Sequence, residues 1–140
     1  LGNARHAASY NTLVDMKIGM IINVTSEITS YYPDTFTYFK YSLSDNNLDS
    51  IKVYIKNAYE KIIYYQKTNP NMNILIHCFM GASRSVSVVL YYLIKKIKNE
   101  DGSSYNLDQA LDFIKTKRDI VNPTEKFISE LKEIVSKEKS

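Results

Sequence analysis

The segment from His77 to Ser85 carries the side chains with the clearest chemistry. Cys78 lies six positions before Arg84, and Ser85 follows directly. A cysteine thiolate is a nucleophile, and a guanidinium can donate two parallel hydrogen bonds to a phosphate. This spacing predicts that Arg84 holds a phosphate group above Cys78, and that the sulfur attacks phosphorus in line to form a cysteinyl-phosphate.

The residues between Cys78 and Arg84 suit a backbone cradle for an anion. The apolar run Ile74-Leu75-Ile76 predicts a buried strand before the loop, and the apolar run after Arg84 predicts a helix. Gly81 permits a tight curve, and amides at a helix N-terminus bind anions. The loop amides expected to hold phosphate oxygens are those of Phe79, Met80, Gly81, Ala82, Ser83 and Arg84.

The same position favours an ionised Cys78. Helix N-termini lower the pKa of a free thiol from about 8.5 to roughly 3.5–7.5, so the thiolate is expected at neutral pH. Ser85 is placed to donate a hydrogen bond to the sulfur when it later leaves phosphorus. The alternative is a buried structural cysteine, which is common for a lone Cys.

A carboxylic acid must protonate the departing ester oxygen. Asp45 is our first choice, because it lies at the junction of a predicted strand and helix, and the carboxyl ends of parallel strands share one edge of a sheet. Asp49 and Asp34 are the competing candidates. As a helix N-cap, Asp45 would instead accept hydrogen bonds as a carboxylate, and its pKa would fall.

Alternating strand and helix patterns indicate an α/β fold. We expect a central, mainly parallel sheet of about four to five strands flanked by helices. Asn122, Pro123 and Glu125 have the spacing of a helix start with a capping box. The predicted strands are Ile18 to Val24, Thr37 to Leu43 and Ile74 to Ile76, and the predicted helices are Asn11 to Met16, Leu48 to Lys67, Arg84 to Lys98, Leu107 to Lys117 and Pro123 to Lys137.

Composition narrows the class of protein. The 140 residues fit one domain, here residues 1–140, and the net charge of +3 is too small for a dedicated nucleic-acid binder. The single cysteine excludes an internal disulfide and favours a reducing compartment. The longest apolar stretch, Val86 to Ile94, is shorter than the roughly 20 residues that span a membrane. We expect a cytoplasmic location that can extend to the nucleus, no membrane association, and an oligomeric state that the sequence leaves open.

The loop HCFMGASRS, with Asp45 before a long helix, resembles the dual-specificity protein phosphatases, and its pattern is similar to atypical and slingshot-like members. The resemblance covers nearly the whole chain and implies a protein tyrosine phosphatase-like fold. The segment PTEKFISEL departs from the family pattern, with Thr124 for Asn, Lys126 for Gly and Glu130 for Gln. Leu1-Gly2 resembles the tail of a strand whose start precedes it.

The resemblance also implies residue roles. Cys78 is the nucleophile, Arg84 the phosphate clamp, Asp45 the general acid and then base, and Ser85 a helper of phosphoenzyme hydrolysis, while His77 tunes the thiolate from behind. The implied activity is metal- and cofactor-independent hydrolysis of phosphotyrosine and phosphoserine/threonine in phosphoproteins. The alternatives are a non-catalytic phosphoprotein-binding module, or a phosphatase that acts on non-protein phosphomonoesters.

Overall fold

The computed structural model describes residues 1–43 and 50–139, and it contains a parallel sheet. The described strands are β1 (Ile18–Asn23), β2 (Thr37–Lys40) and β3 (Asn73–His77), in the spatial order β2-β1-β3. Ile22 pairs with a residue of each neighbour, Phe39 and Ile76. Because all three strands run parallel, their carboxyl ends meet at one edge, where β3 leads directly into Cys78.

Helices cover both faces of the sheet. Alternate residues of β1 belong to different apolar clusters: Met20 and Ile22 face one cluster and Ile21 the other. This arrangement is typical of a parallel sheet buried on both sides. The helices are α1 (Ala4–Ala8), α2 (Tyr10–Asp15), α3 (Ile55–Thr68), α4 (Arg84–Lys96), α5 (Leu107–Lys117) and α6 (Glu125–Lys139), with a 3₁₀ turn at Ile51–Val53.

Helix α4 is the central element of the larger cluster. It packs against α3, α5 and α6, and most of its side chains are buried. Its first residue is Arg84, so the packing that fixes the axis of α4 also fixes the end of the loop that begins at Cys78. No helix in residues 1–43 or 50–139 has the length and apolar character needed to cross a membrane.

The α/β class and the parallel sheet are confirmed, but the described part of the chain contains three strands rather than the expected four or five. Outside these strands, Gly2 forms an isolated parallel bridge to His77 at the end of β3. Strand β2 ends at Lys40, earlier than the predicted Leu43.

Two of the predicted helices differ from the helices of the described residues. The expected helix from Leu48 is divided into the 3₁₀ turn and α3, and Leu48 itself lies outside the described residues. Helix α6 starts at Glu125 instead of Pro123, because the Thr124 hydroxyl accepts the backbone N–H of Phe127 at 3.3 Å and so caps the helix. The backbone N–H of Asn122 donates to the carbonyl of Ala82 in the cysteine loop.

Candidate active site

The sulfur of Cys78 lies at the floor of the loop and is almost fully buried. Its Sγ is 3.2 Å from Ser85 Oγ, and it accepts the backbone N–H of Gly81, also at 3.2 Å. Burial alone would raise the pKa of the thiol, but the hydroxyl of Ser85 and the backbone N–H groups of Ser85, Gly81 and Ser83 outweigh burial and lower the pKa. The site is therefore built to stabilise a thiolate.

Hydrogen bonds from outside the cysteine loop hold the carbonyl groups of the loop. Backbone N–H groups of Ala4 and Asn122 donate to the carbonyls of Phe79 and Ala82, at 3.0 and 2.7 Å. The guanidinium of Arg118 donates to the two carbonyls between these. Its Nη2 donates to Met80 at 2.9 Å and its Nε donates to Gly81 at 3.1 Å. With these acceptors turned outward, the N–H groups of the same peptides can point towards an anion, as in a backbone nest.

Gly81 makes this curvature possible. Its φ is +72°, in the left-handed region that side chains rarely adopt. A Cβ at this position would also lie 2.5 Å from the carbonyl oxygen of Gly2. The loop thus needs glycine here for both backbone conformation and space.

Arg84 projects from the first position of α4 and is buried, with 5% of its side chain exposed. Its Nη1 and Nη2 donate to the two carboxylate oxygens of Glu27 at 2.6 and 2.7 Å. Nη1 also donates to the Leu43 carbonyl at 3.0 Å. Glu27 follows β1 and Leu43 follows β2, so the ends of both strands hold the guanidinium beside the cysteine loop.

His77 is completely buried behind the loop. Its Nδ1 lies 3.2 Å from the carbonyl oxygen of Cys78, which can only accept, so Nδ1 carries the proton. Burial lowers the pKa of the imidazole, which favours the neutral ring. His77 therefore touches the backbone of Cys78 and orients the peptide, and any influence on the thiolate acts through that backbone.

Of the three candidates for the general acid, Asp34 lies within the described residues. Asp45 and Asp49 lie outside the described residues. Asp34 is exposed and lines a cavity of about 720 Å³ with Gly19 and Thr37, at the starts of β1 and β2 and thus at the sheet edge opposite Cys78. The hydrogen bonds from Arg84 lower the pKa of Glu27 to about 2, so Glu27 cannot supply a proton near neutral pH.

Two supporting side chains of the site were missed by sequence reasoning. Glu27 lies just past the end of a buried parallel strand, at the edge that carries the cysteine loop, and this position was the available signal. Arg118 is one of three arginines in a chain rich in lysine. Its two-carbonyl contact uses the planar fork that distinguishes arginine.

The departures in the segment before and within α6 leave its contact with the loop intact. The backbone N–H of Thr124 donates to Ser83 Oγ at 3.1 Å, and the N–H of Asn122 holds Ala82. Both donors are backbone groups. A side-chain change at Thr124 or Lys126 therefore does not remove them.

A protein-family model matches nearly the whole chain. Residues 1–137 match the catalytic domain of the dual specificity phosphatases. The chain belongs to this family. Among the residues that the structure describes, no three His, Cys, Asp or Glu side chains gather as a group that could hold a metal ion.

Two proteins similar to this chain come from different organisms. A probable rhodanese domain-containing dual specificity protein phosphatase of Dictyostelium discoideum is 34% identical over 135 residues, which is 95% of this chain and 26% of that protein. Slingshot homolog 2 of Homo sapiens is 31% identical over 95% of this chain and 9% of its own length. The chain thus spans about a quarter or less of these relatives.

Solved structures show the same fold. The crystal structure of DUSP15 superposes with a TM-score of 0.84 at 28% identity, over 95% of this chain and 80% of that one. The human tyrosine phosphatase-like serine/threonine/tyrosine-interacting protein superposes with a TM-score of 0.87 at 21% identity, over 100% of this chain and 92% of that one.

Proposed function

We propose that the domain formed by this chain hydrolyses phosphotyrosine and phosphoserine/threonine in proteins through a cysteinyl-phosphate. The observation that carries the proposal is the surroundings of Cys78 Sγ. Hydrogen-bond donors lower the pKa of the thiol beneath a loop whose carbonyls are turned away. A thiolate in such a nest has both a binding site for a phosphate dianion and the lone pair to attack it.

The proposed reaction has two steps. The lone pair of Cys78 Sγ forms the S–P bond while the bond from phosphorus to the ester oxygen breaks, and Asp45 gives its proton to that oxygen. A water molecule then returns a proton to Asp45 and attacks phosphorus, the S–P bond breaks, and Ser85 donates its hydrogen bond to the departing thiolate. Arg84 and the loop amides bind the phosphate oxygens throughout, and neither step uses a metal or cofactor.

The rim of the loop supports a protein substrate. Phe79 and Met80 are 52% and 57% exposed, and they offer apolar surface to the residues that flank a phosphorylated side chain. No lysine lies between Cys78 and Arg84, so the loop lacks the extra cations that a highly charged lipid head group would favour.

The first test is hydrolysis of an aryl phosphate and of phosphopeptides with EDTA present. We expect turnover by the parent protein and a loss of at least about a thousandfold in kcat for Cys78→Ser, since a hydroxyl is a poor nucleophile at this pH. Turnover that survives Cys78→Ser would contradict the proposal. Tungstate binding without turnover in the parent would instead support the phosphoprotein-binding module.

A second test assigns the general acid. We expect Asp45→Asn to lower kcat by about 10²–10⁴-fold and to remove the basic limb of the pH profile. The loss should be greater for a phosphoserine peptide than for an aryl phosphate, because an alkoxide needs the proton more than a phenolate does. Asp49→Asn is the matched control, and a loss confined to that variant would move the role to Asp49.

A substrate panel separates the remaining alternative. Phosphopeptides, inositol phosphates and a 5′-phosphorylated oligonucleotide would be compared by kcat/KM. A preference for either non-protein substrate by more than tenfold would overturn the proposed substrate class while leaving the cysteine chemistry in place.

A further inference from the structure

His6 takes part in the hydrogen bonds that begin helix α1. The Asn3 side chain accepts the backbone N–H of His6 at 2.9 Å, and His6 Nδ1 accepts the backbone N–H of Asn3 at 3.0 Å. These two reciprocal bonds form a capping box. Because Nδ1 is the acceptor, the ring is neutral in this arrangement and carries its proton on Nε2.

The start of α1 is also one of the contacts that hold the cysteine loop. As the first helical residue, Ala4 has an N–H without an intrahelical acceptor, and it donates to the Phe79 carbonyl at 3.0 Å. A helix of five residues has little stability of its own, so its start depends on its cap. The capping box therefore helps to fix the Ala4 N–H that holds Phe79.

Helix α5 begins with the same kind of box, built with glutamine instead of histidine. The Asn106 side chain accepts the backbone N–H of Gln109 at 2.8 Å, and Gln109 Oε1 accepts the backbone N–H of Asn106 at 3.0 Å. An amide oxygen accepts hydrogen bonds throughout the range in which histidine titrates, whereas an imidazole nitrogen stops accepting once it is protonated. Of these two boxes, the one at α1 therefore depends on pH.

The surroundings of His6 oppose its protonation. Its ring lines a cavity of about 240 Å³. Partial burial lowers the pKa of the imidazole most, followed by the positive charges of Arg118, the Leu1 amino group and Arg5. His77 faces two of the same groups: burial lowers its pKa most, and His6 and the Leu1 amino group lower it further. A proton on His6 would thus join a cluster of positive charges beside the loop.

We propose that neutral His6 is a positioning residue that holds the start of α1 against the cysteine loop, and that protonation of its ring loosens the loop and lowers activity in mildly acidic solution. A proton on Nδ1 removes the acceptor for the Asn3 N–H. The new charge also repels Arg118, whose guanidinium holds the Met80 and Gly81 carbonyls. The effect on activity rests on the proposed function, whereas the loosening of the loop does not.

The test compares the parent with His6→Gln and His6→Ala. Glutamine restores the box that α5 uses and does not titrate, and alanine lacks the acceptor at every pH. Hydrogen exchange of the Ala4 N–H, followed by NMR and corrected for its intrinsic rate, reports the hold on Phe79. Between about pH 8 and pH 5 we expect protection to fall about fivefold in the parent, to stay high in His6→Gln and to stay low in His6→Ala.

Activity on an aryl phosphate should follow the same pattern. The ionisations of Cys78 and of the substrate are common to both proteins, so the ratio of kcat/KM in His6→Gln to kcat/KM in the parent isolates His6. We expect a ratio near one above about pH 7 and a ratio of about two to five at about pH 5. The sign follows from the lowered pKa of His6: the hold is complete above the ordinary pKa of histidine and is lost as the pH falls through the lower value of the folded protein.

Gln109→Ala is the matched control, because it removes the equivalent acceptor from α5. It should leave Ala4 protection and kcat/KM within about twofold of the parent at each pH. Thermal melts would separate loss of the hold from loss of folding. The chain has two histidines, so the imidazole NMR signals give the titration midpoint of His6 directly. If His6→Gln melts early, a midpoint for Ala4 protection in the parent that differs from the His6 midpoint would contradict the coupling.

Two outcomes would overturn the inference. Equal pH dependence of Ala4 protection in the parent and in His6→Gln would show that the box does not respond to protonation. A kcat/KM ratio that stays near one at low pH while Ala4 protection falls would show that the loop works without the box. Absence of turnover in the parent would count against the proposed function alone, because the exchange of the Ala4 N–H needs no substrate.

Discussion

At the scale of single residues, two buried serines of α4 have different partners. Ser85 Oγ lies 3.2 Å from Cys78 Sγ, whereas Ser87 Oγ donates to the Arg84 carbonyl at 2.6 Å. Of these two hydroxyls, the one on Ser85 helps to lower the pKa of the thiol. The pair therefore provides a variant and its control within one helix.

We expect Ser85→Ala to raise the pKa of Cys78 and Ser87→Ala to leave it nearly unchanged. The sign follows from the hydrogen bond: Ser85 stabilises the thiolate, so its removal favours the thiol and moves ionisation to higher pH. The rate of iodoacetamide alkylation, measured against pH, reports this midpoint. An unchanged midpoint in Ser85→Ala would mean that the backbone amides alone set the pKa.

Sequence reasoning named the residues of the loop but not the residues that support it. Cys78, Arg84 and Ser85 have a fixed spacing within one local segment, so their placement needs only a strand and a helix on either side. Glu27 reaches Arg84 across 57 positions of the chain. That contact depends on strand order and loop shape, which no local pattern specifies.

At the scale of elements, the loop between β3 and α4 depends on a left-handed glycine. Gly81 and Gly102 both have positive φ, +72° and +87°. An added Cβ at Gly81 meets the backbone oxygen of Gly2, whereas a Cβ at Gly102 has no atom within 4 Å. At both positions the positive φ would strain a residue that carries a side chain. At Gly81 the side chain would also lack space.

We expect Gly102→Ala to lower the free energy of unfolding by about 1–2 kcal/mol, the cost of the left-handed conformation. Gly81→Ala should cost about 2–5 kcal/mol, because overpacking adds about 1–3 kcal/mol to the same backbone cost, and it should also lower kcat/KM. Urea denaturation measures both. Equal losses in the two variants would show that the contact with Gly2 relaxes freely.

Element types were easier to predict than element ends. Helix α4 and the buried β1 have long apolar patterns, and both were expected. Helix α1 has five residues and one buried side chain, Ala7, so it gives no periodic signal. The start of α6 was wrong because the Thr124 hydroxyl accepts the Phe127 N–H and caps the helix. The Asn122 N–H, which a capping box would pair with the side chain of Glu125, donates to the loop carbonyl of Ala82 instead.

At the scale of the whole molecule, the alternation of strands and helices was enough to predict a parallel α/β sheet. It was not enough to predict the number of strands in the described residues, because the pairing of Gly2 with His77 is a single bridge with no strand-length pattern. The same bridge brings the first residues of the chain to the cysteine loop, where Ala4 holds the Phe79 carbonyl. Distant segments thus complete a loop whose own residues are local.

The hold on Arg84 by Glu27 and Leu43 has a consequence for folding kinetics. These contacts close chain loops of 57 and 41 residues, and the entropy of closure must be overcome before either contact contributes. Helices α3 and α4 need only local contacts and can form much earlier. A refolding chain would therefore regain most of its helical structure before Arg84 is held in place, and the phosphate binding that we propose for it would be among the last properties to return.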